Sequence, residues 1–305
     1  MKKTFISSIV GGLGNQMFQY AFVRALQSQY GGDICFDLHS YSKDKQRVLS
    51  LNQYILNGCV KKMSFIDKKA LYILAFLRRL FIKIYKSETS NKFSNTPDYG
   101  IISQYQIRYY TTKELKALPY YYVTGNYMSY LFFERASSVI KKDFTLKKEL
   151  TGNNKSLLLQ IKCCESVCVH IRLGDYLSPE WKDKLYVCDE QYYVDAIQYI
   201  KDNVNNPVFY VFTNTHKDVE WIKANYHLPV EVVFVDEGNS DVEDLELMRN
   251  CKHFIMSNST YSWWSQFLAD YNRKIVCAPK KWNNFPEWDM KDLYMNSWVI
   301  INNER

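Results

Sequence analysis

The apolar and polar positions fall into two successive series of strand-like and helix-like stretches. Phe5 to Val10 is a short apolar run that meets Gly11, Gly12 and Gly14, and a helical pattern follows from Asn15 to Tyr30. Ile34 to Leu38 forms a second strand pattern. Lys61 to Lys86 reads as a basic amphipathic helix, with apolar Leu71 to Leu77 followed by Arg78, Arg79, Lys83 and Lys86 set among Leu80, Phe81, Ile82 and Ile84. Two readings of it stay open: one face packed on its own domain and the other solvated, or contact with an anionic membrane surface. Ser87 to Gly100 is polar, carries Pro97 and reads as a loop, Tyr120 to Tyr130 is aromatic, and Leu131 to Ile140 is helical again. The polar stretch Lys141 to Ser156, with Gly152, Asn153 and Asn154, is the best place for a domain boundary.

The second half restarts the alternation. Strand patterns lie at Val167 to Ile171, Val208 to Thr213, Val230 to Asp236, His253 to Ser257 and Lys274 to Ala278. Helical patterns separate them at Gln191 to Asn203, Asp218 to Asn225, Asp241 to Cys251 and Tyr261 to Asp270. Short links between such units predict an α/β chain of parallel sheets with helices on both faces. The expected division is an N-terminal domain over 1–150, a C-terminal domain over 157–282, and a tail, 283–305, packing back on the first domain. Two such domains in tandem would face each other across a cleft.

Composition narrows the function. The 305 residues suffice for two ordinary domains, and a formal charge of +7 favours anionic partners such as nucleotides, acidic glycans or a membrane surface. The basic residues are dispersed and no zinc-finger or RNA-recognition spacing occurs, so no nucleic-acid partner is expected. The eight Cys contain no C-x-x-C pair, which suggests free thiols and a cytosolic setting. MKKTFISSIVGGLGNQ reads as a first strand rather than a signal peptide, and no run reaches the roughly 18 apolar residues of a membrane span. Membrane contact, if present, is therefore expected to be peripheral, on the inner face, through 61–86.

Candidate chemistry concentrates at two strand ends. Val167 to Leu177, VCVHIRLGDYL, runs from a buried strand into His170, Arg172, Gly174 and Asp175, where open α/β sheets bind ligands. Arg172 offers a permanently charged planar fork that fits a phosphate, although it can also simply pair with Asp175. Ser257 to Trp264, SNSTYSWW, places a hydroxyl-rich turn at a helix start. Ser259 or Thr260 can cap that helix, and the remaining backbone N–H groups and the helix dipole make an anion site. Arg172 and this turn could hold one diphosphate. Near the N-terminus, Gly12-Leu-Gly14 is followed by Asn15, Gln16 and Met17, so the dinucleotide fingerprint fails at its third glycine. Asn15 and Gln16 would instead hydrogen-bond a polar ligand or help pack a tight turn. No D-x-D, P-loop, G-x-S-x-G or metal-ligand spacing occurs, so no cofactor or required metal is expected.

Together these stretches resemble the alpha-1,2-fucosyltransferases of glycosyltransferase family eleven. The likeness rests on GGLGNQMFQYAF (Gly11 to Phe22), GNYMSYLFF (Gly125 to Phe133), HIRLGDY (His170 to Tyr176), DLELMRNCKHFIMSNSTYSWW (Asp244 to Trp264) and APKKW (Ala278 to Trp282), in family order. Leu173 departs from it, standing where the family usually has a second Arg, and FTNT (Phe212 to Thr215) replaces an acidic F-S-D-D. The resemblance implies a GT-B-like pair of Rossmann-type domains and metal-independent, inverting transfer of L-fucose from GDP-fucose to the 2-hydroxyl of a terminal galactose in a glycan. It implies Arg172, His170 and Asp175 at the reacting diphosphate, with Asp175 orienting Arg172 or a loop amide. Donor contacts would come from Arg172, Asn214, Asn258, Ser259, Thr260 and Ser262, and acceptor-side contacts from Gly12, Gly14, Asn15 and Gln16. The rival functions are transfer of another sugar from a purine nucleotide and a non-catalytic glycan-binding protein.

Overall fold

In the first half of a computed structural model, which describes residues 2–42, 47–56, 60–84, 95–104, 109–110, 114–235 and 238–304, five strands form one sheet. Its elements are Thr4–Ser8 (β1), Leu13–Tyr30 (α1), Asp33–Asp37 (β2), Phe65–Ile84 (α2), Asn95–Thr96 (β3), Ile101–Ser103 (β4), Tyr120–Thr124 (β5) and Ser137–Asp143 (α3). The strand order is β2-β1-β5-β4-β3, parallel except at the β3–β4 edge. Helix α1 buries nearly its whole circumference, because Leu13, Met17, Phe18, Tyr20, Phe22, Val23 and Leu26 leave it no polar side to solvate. Much of the aromatic content packs around it: the Phe22 and Tyr127 rings stack at 3.9 Å, and Phe132 meets both edge-on. The one charge α1 buries, Arg24, is neutralised by Asp143 at 2.8 Å, which also accepts a hydrogen bond from the Tyr20 hydroxyl. That buried pair ties α3 to α1.

The second series comprises Gly152–Cys163 (α4), Glu165–His170 (β6), Lys182–Leu185 (α5), Glu190–Asn203 (α6), Pro207–Phe212 (β7), His216–Asn225 (α7), Val232–Val235 (β8), Asp241–Arg249 (α8), His253–Ile255 (β9), Thr260–Leu268 (α9), Val276–Pro279 (β10) and Val299–Ile301 (β11). All its strands run parallel, in the order β11-β10-β9-β6-β7-β8. Val167, Val169, Val211 and Ile255 from the sheet pack with Tyr192, Tyr193, Ala196, Ile197 and Ile200 of α6 in one core. Trp263 and Trp264 are fully buried, so they serve packing rather than stacking on a ligand ring.

Two compact units result, Met1–Lys147 with Asp289–Tyr294, and Lys148–Trp288 with Met295–Arg305. The boundary therefore falls inside the polar stretch that the sequence marks. The tail corrects the expectation, because only Asp289–Tyr294 joins the first unit. Val299–Ile301 pairs with β10 and completes the second sheet. Five further elements, β3, β4, β5, α4 and α5, lie outside the expected strands and helices. Residues 85–94 of the expected loop and helix end, and the expected strand end at 236, lie outside the described residues.

Candidate active site

The second sheet reverses its winding between β6 and β9. From β6 the chain winds outward through β7 to β8, whereas β9 lies on the other side of β6 and leads to β10 and β11. Such a switch point opens a crevice beyond the carboxyl ends of its two strands. Val169 pairs with Ile255 there, so the chains leaving β6 at Arg172 and β9 at Ser257 emerge side by side.

Arg172 is held on one side only. Its Nη2 donates to Asp175 Oδ1 at 2.6 Å, and its guanidinium lies over the Tyr176 ring at 5.2 Å. Its Nε–H is buried with no hydrogen-bond partner among the described residues. A buried donor on a permanent cation costs on the order of 1–3 kcal/mol if it stays unsatisfied, so this one is poised for an anionic acceptor. Tyr176 links Arg172 to the neighbouring turn by donating its hydroxyl to the Asn258 carbonyl at 3.2 Å. Gly174, at φ +58, makes the turn that a side chain would strain, and its N–H donates to Asp218 Oδ1 at 3.3 Å.

His170 closes β6 and hydrogen-bonds Ser257 Oγ through Nδ1 at 2.8 Å. Burial, together with the Arg172 charge, pushes its pKa down to about 3. The ring is neutral at working pH and holds the β6 and β9 ends in register, so it adds no positive charge. In the SNST turn, Asn258 is a clamp: its Nδ2 donates to the Leu185 and Trp282 carbonyls at 2.8 and 2.9 Å, and its Oδ1 accepts from the Cys188 thiol at 3.6 Å. Those contacts occupy its amide hydrogens, leaving it nothing to donate to a ligand. Ser259 is the N-cap of α9, accepting from the Tyr261 N–H at 3.3 Å. Thr260 begins the helix half-buried, and the Ser262 hydroxyl in its first turn is buried without a partner among the described residues.

A cavity of about 300 Å³ lies beyond β7 and β8, lined by Thr213, Asn214, Thr215, His216, Val235, Gly238, Asn239 and Asp244. Asn214 borders Gly174, so the cavity adjoins the Arg172 loop along the rim of the same sheet. The Asp244 carboxylate is steadied by the Asn239 amide at 2.8 Å, and Asn239 accepts from Asn154 of α4 at 2.7 Å. Thr213 Oγ1 is buried here with no hydrogen-bond partner among the described residues. Asp244, Asn239 and Tyr176 are absent from the sequence-based set. Asp244 opens the DLELM segment, and that motif was the available signal.

In the first unit, Gly11 takes φ +81, and a side chain there would meet the Asn15 amide at 2.9 Å. Gln16 is fully buried and its amide is saturated. It donates to the Gly11 and Val48 carbonyls at 3.0 and 2.8 Å, and accepts from the Ser50 and Leu51 N–H groups at 3.0 and 3.2 Å. It therefore fastens the 48–51 segment to α1 and has no capacity left for a ligand. Gly14 is a buried helix position. Gly12 and Asn15 stay half-buried at the start of α1, with the Arg47 guanidinium 3.3 Å from where a Gly12 side chain would begin. Leu173 is fully buried in the second core, so its departure from a basic residue serves packing. Among the described residues no three His, Cys, Asp or Glu side chains gather as a metal-ligand set.

The sequence profile of "Glycosyl transferase family 11" matches residues 5–302. An alpha-1,2-colitosyltransferase of Escherichia coli is 30% identical over 97% of this chain and 98% of its own length. Mouse galactoside alpha-(1,2)-fucosyltransferase 2 is 25% identical over 87% of this chain and 68% of its own length. The solved alpha-1,6-fucosyltransferase NodZ of Bradyrhizobium, soaked with GDP-fucose, shares the fold at a TM-score of 0.53 and 12% identity, over 88% of this chain and 93% of that one. Its two Rossmann-type units give this chain the GT-B fold class, and the match along nearly its whole length shows that it belongs to glycosyltransferase family 11.

Proposed function

We propose that this enzyme transfers L-fucose from GDP-fucose to the 2-hydroxyl of a terminal galactose in a glycan, with inversion and without an obligatory divalent ion. The observation that carries the reading is the buried, unpartnered Nε–H of Arg172 at the switch point beside the start of α9. As the bond between the sugar C1 and the diphosphate oxygen breaks, negative charge grows on the diphosphate. A fixed guanidinium and the helix N–H groups grip that charge more tightly than they grip the intact donor, which lowers the barrier. The acceptor oxygen forms its bond to C1 from the opposite side, and its proton leaves to base or water.

The base fits the cavity beyond β7 and β8. Guanine presents N1–H and an exocyclic amine on one edge, and a carboxylate such as that of Asp244 accepts from both. The acceptor belongs to the first unit, at Gly12 and Asn15 with Arg47. All seven described cysteines are free thiols, in keeping with a cytosolic setting. The name of the Escherichia coli relative favours a second reading of the same site, with colitose as the sugar.

The test is a product-linkage assay on a panel of galactosides with GDP-fucose or GDP-colitose, with and without EDTA, and calorimetry with GDP, UDP and NAD. A 1,2-linked fucoside formed in EDTA, with GDP the preferred nucleotide, is expected. Preference for GDP-colitose would select the second reading. Absence of transfer from both donors, or tighter binding of UDP, would overturn the function.

A further inference from the structure

Helix α2 is apolar on two faces. Ala70, Leu71, Leu74, Ala75, Leu77 and Phe81 pack against Ile6, Cys35, Ile101 and Tyr122 of the first unit's sheet and its flank. A helix with one face so covered normally turns polar residues to water. Here the outer face carries Phe65, Tyr72, Ile73 and Phe76, which are 71%, 75%, 60% and 63% exposed, with Ile66 and Leu80 beside them. Their spacing of three, four and seven residues makes one continuous stripe along a helix about 30 Å long. Isolated exposed apolar side chains need no explanation, but a stripe of six does.

The charges on this helix have one sign at its surface. Lys68, Lys69, Arg79 and Lys83 are exposed, and the Lys69 ammonium sits over the Phe65 ring at 4.6 Å. The one acidic residue of α2, Asp67, is buried and neutralised by Lys61 and the Ser64 N–H. Among the described residues no helix is long and apolar enough to cross a membrane.

We propose that α2 seats this enzyme on an anionic bilayer, lying flat in the headgroup region with Phe65, Ile66, Tyr72, Ile73, Phe76 and Leu80 inward. Lys68, Lys69, Arg79 and Lys83 pair with lipid phosphates, their methylene stems lying along the same apolar surface. Charge complementarity selects this occupant. A second copy docked through the same stripe would oppose four cations to four with no exposed carboxylate of α2 between them, whereas a phosphatidylglycerol surface supplies the missing anions. Of the two readings of 61–86, the packed inner face is present in α2, and the apolar character of its exposed face favours the membrane-contact reading.

The test is co-sedimentation of the full chain with phosphatidylcholine vesicles and with equimolar phosphatidylcholine–phosphatidylglycerol vesicles, at low and high salt. The wild type is expected to pellet with the anionic vesicles at low salt and to be released by salt. Ile73→Glu/Phe76→Glu and Arg79→Glu/Lys83→Glu should each lower partitioning about tenfold or more. All four side chains are exposed, so far-UV circular dichroism and turnover of a soluble galactoside should not change. Wild type remaining in the supernatant with anionic vesicles would overturn the proposal, as would both variants pelleting normally. A wild-type dimer in size exclusion that Ile73→Glu/Phe76→Glu dissociates, without vesicle binding, would assign the stripe to a second copy instead.

Discussion

His170→Asn separates a neutral, structural imidazole from a catalytic cation. An asparagine amide can keep the hydrogen bond that Nδ1 makes to Ser257 at 2.8 Å, but it does not titrate. Histidine in the unfolded chain has a pKa near about 6.5, whereas burial beside Arg172 holds His170 at about 3. The folded-state pKa is depressed, so the unfolded chain binds a proton below about pH 6.5 that the folded chain refuses. The stability contribution is therefore present above that pH and is lost as pH falls toward 3. At about 1.4 kcal/mol per pH unit, acidification from pH 7 to pH 5 should cost the wild type about 2 kcal/mol through this one residue. All seven tryptophans lie in the second unit, so their fluorescence during urea unfolding reports that unit alone. The quantity to measure is the wild-type loss between pH 7 and pH 5 minus the loss in His170→Asn. The lowered His253 titration is common to both proteins and cancels. A difference near 2 kcal/mol is expected, together with a wild-type kcat/KM profile that has no limb near pH 6–7 removed by the variant. Equal losses in the two proteins, or such a limb, would refute the buried neutral ring.

Gln16→Glu turns two amide donors into acceptors facing the Gly11 and Val48 carbonyls, and should destabilise the first unit by about 2–5 kcal/mol at pH 7. Its carboxyl pKa is expected to rise, so the deficit should shrink on acidification, which hydrogen exchange of α1 amides will measure. Asn258→Ala removes the amide bonds to Leu185 and Trp282 and should lower second-unit stability by about 2–4 kcal/mol in the fluorescence titration. Leu173→Ala should cost about 2–5 kcal/mol by the same readout, because the side chain is fully buried.

The parallel second sheet was legible because each strand is a short apolar run closed by a polar turn, as at Val208 to Thr213. Val299–Ile301 was not, because three residues carry no period; pairing with β10 makes them a strand. Ile101–Ser103 fails for the same reason, and the weakly amphipathic α4 is set by packing against α8 and β6. At the site, residue type singled out Arg172 at the strand end, where the structure pairs its Nη2 with Asp175 and leaves its Nε–H without a partner among the described residues. It could not tell a ligand amide from a clamp. Asn258 and Gln16 look like donors in sequence, and only the carbonyls opposite them, all but that of Gly11 tens of residues away, reveal that their hydrogens are taken. The cavity residues Asn239 and Asp244 come together through the α8 start and Asn154, a contact across 85 residues that no local pattern encodes.

The central claim is that the Arg172 guanidinium grips the donor diphosphate. The direct measurement is kcat/KM with GDP-fucose, and GDP affinity by calorimetry, for wild type, Arg172→Lys and Arg172→Ala, each checked by tryptophan-monitored unfolding. Loss of about 10²–10³ in kcat/KM for Arg172→Ala, weakened GDP binding, incomplete rescue by lysine and unchanged stability are expected. A folded Arg172→Ala enzyme with near-wild-type turnover and GDP affinity would contradict the account.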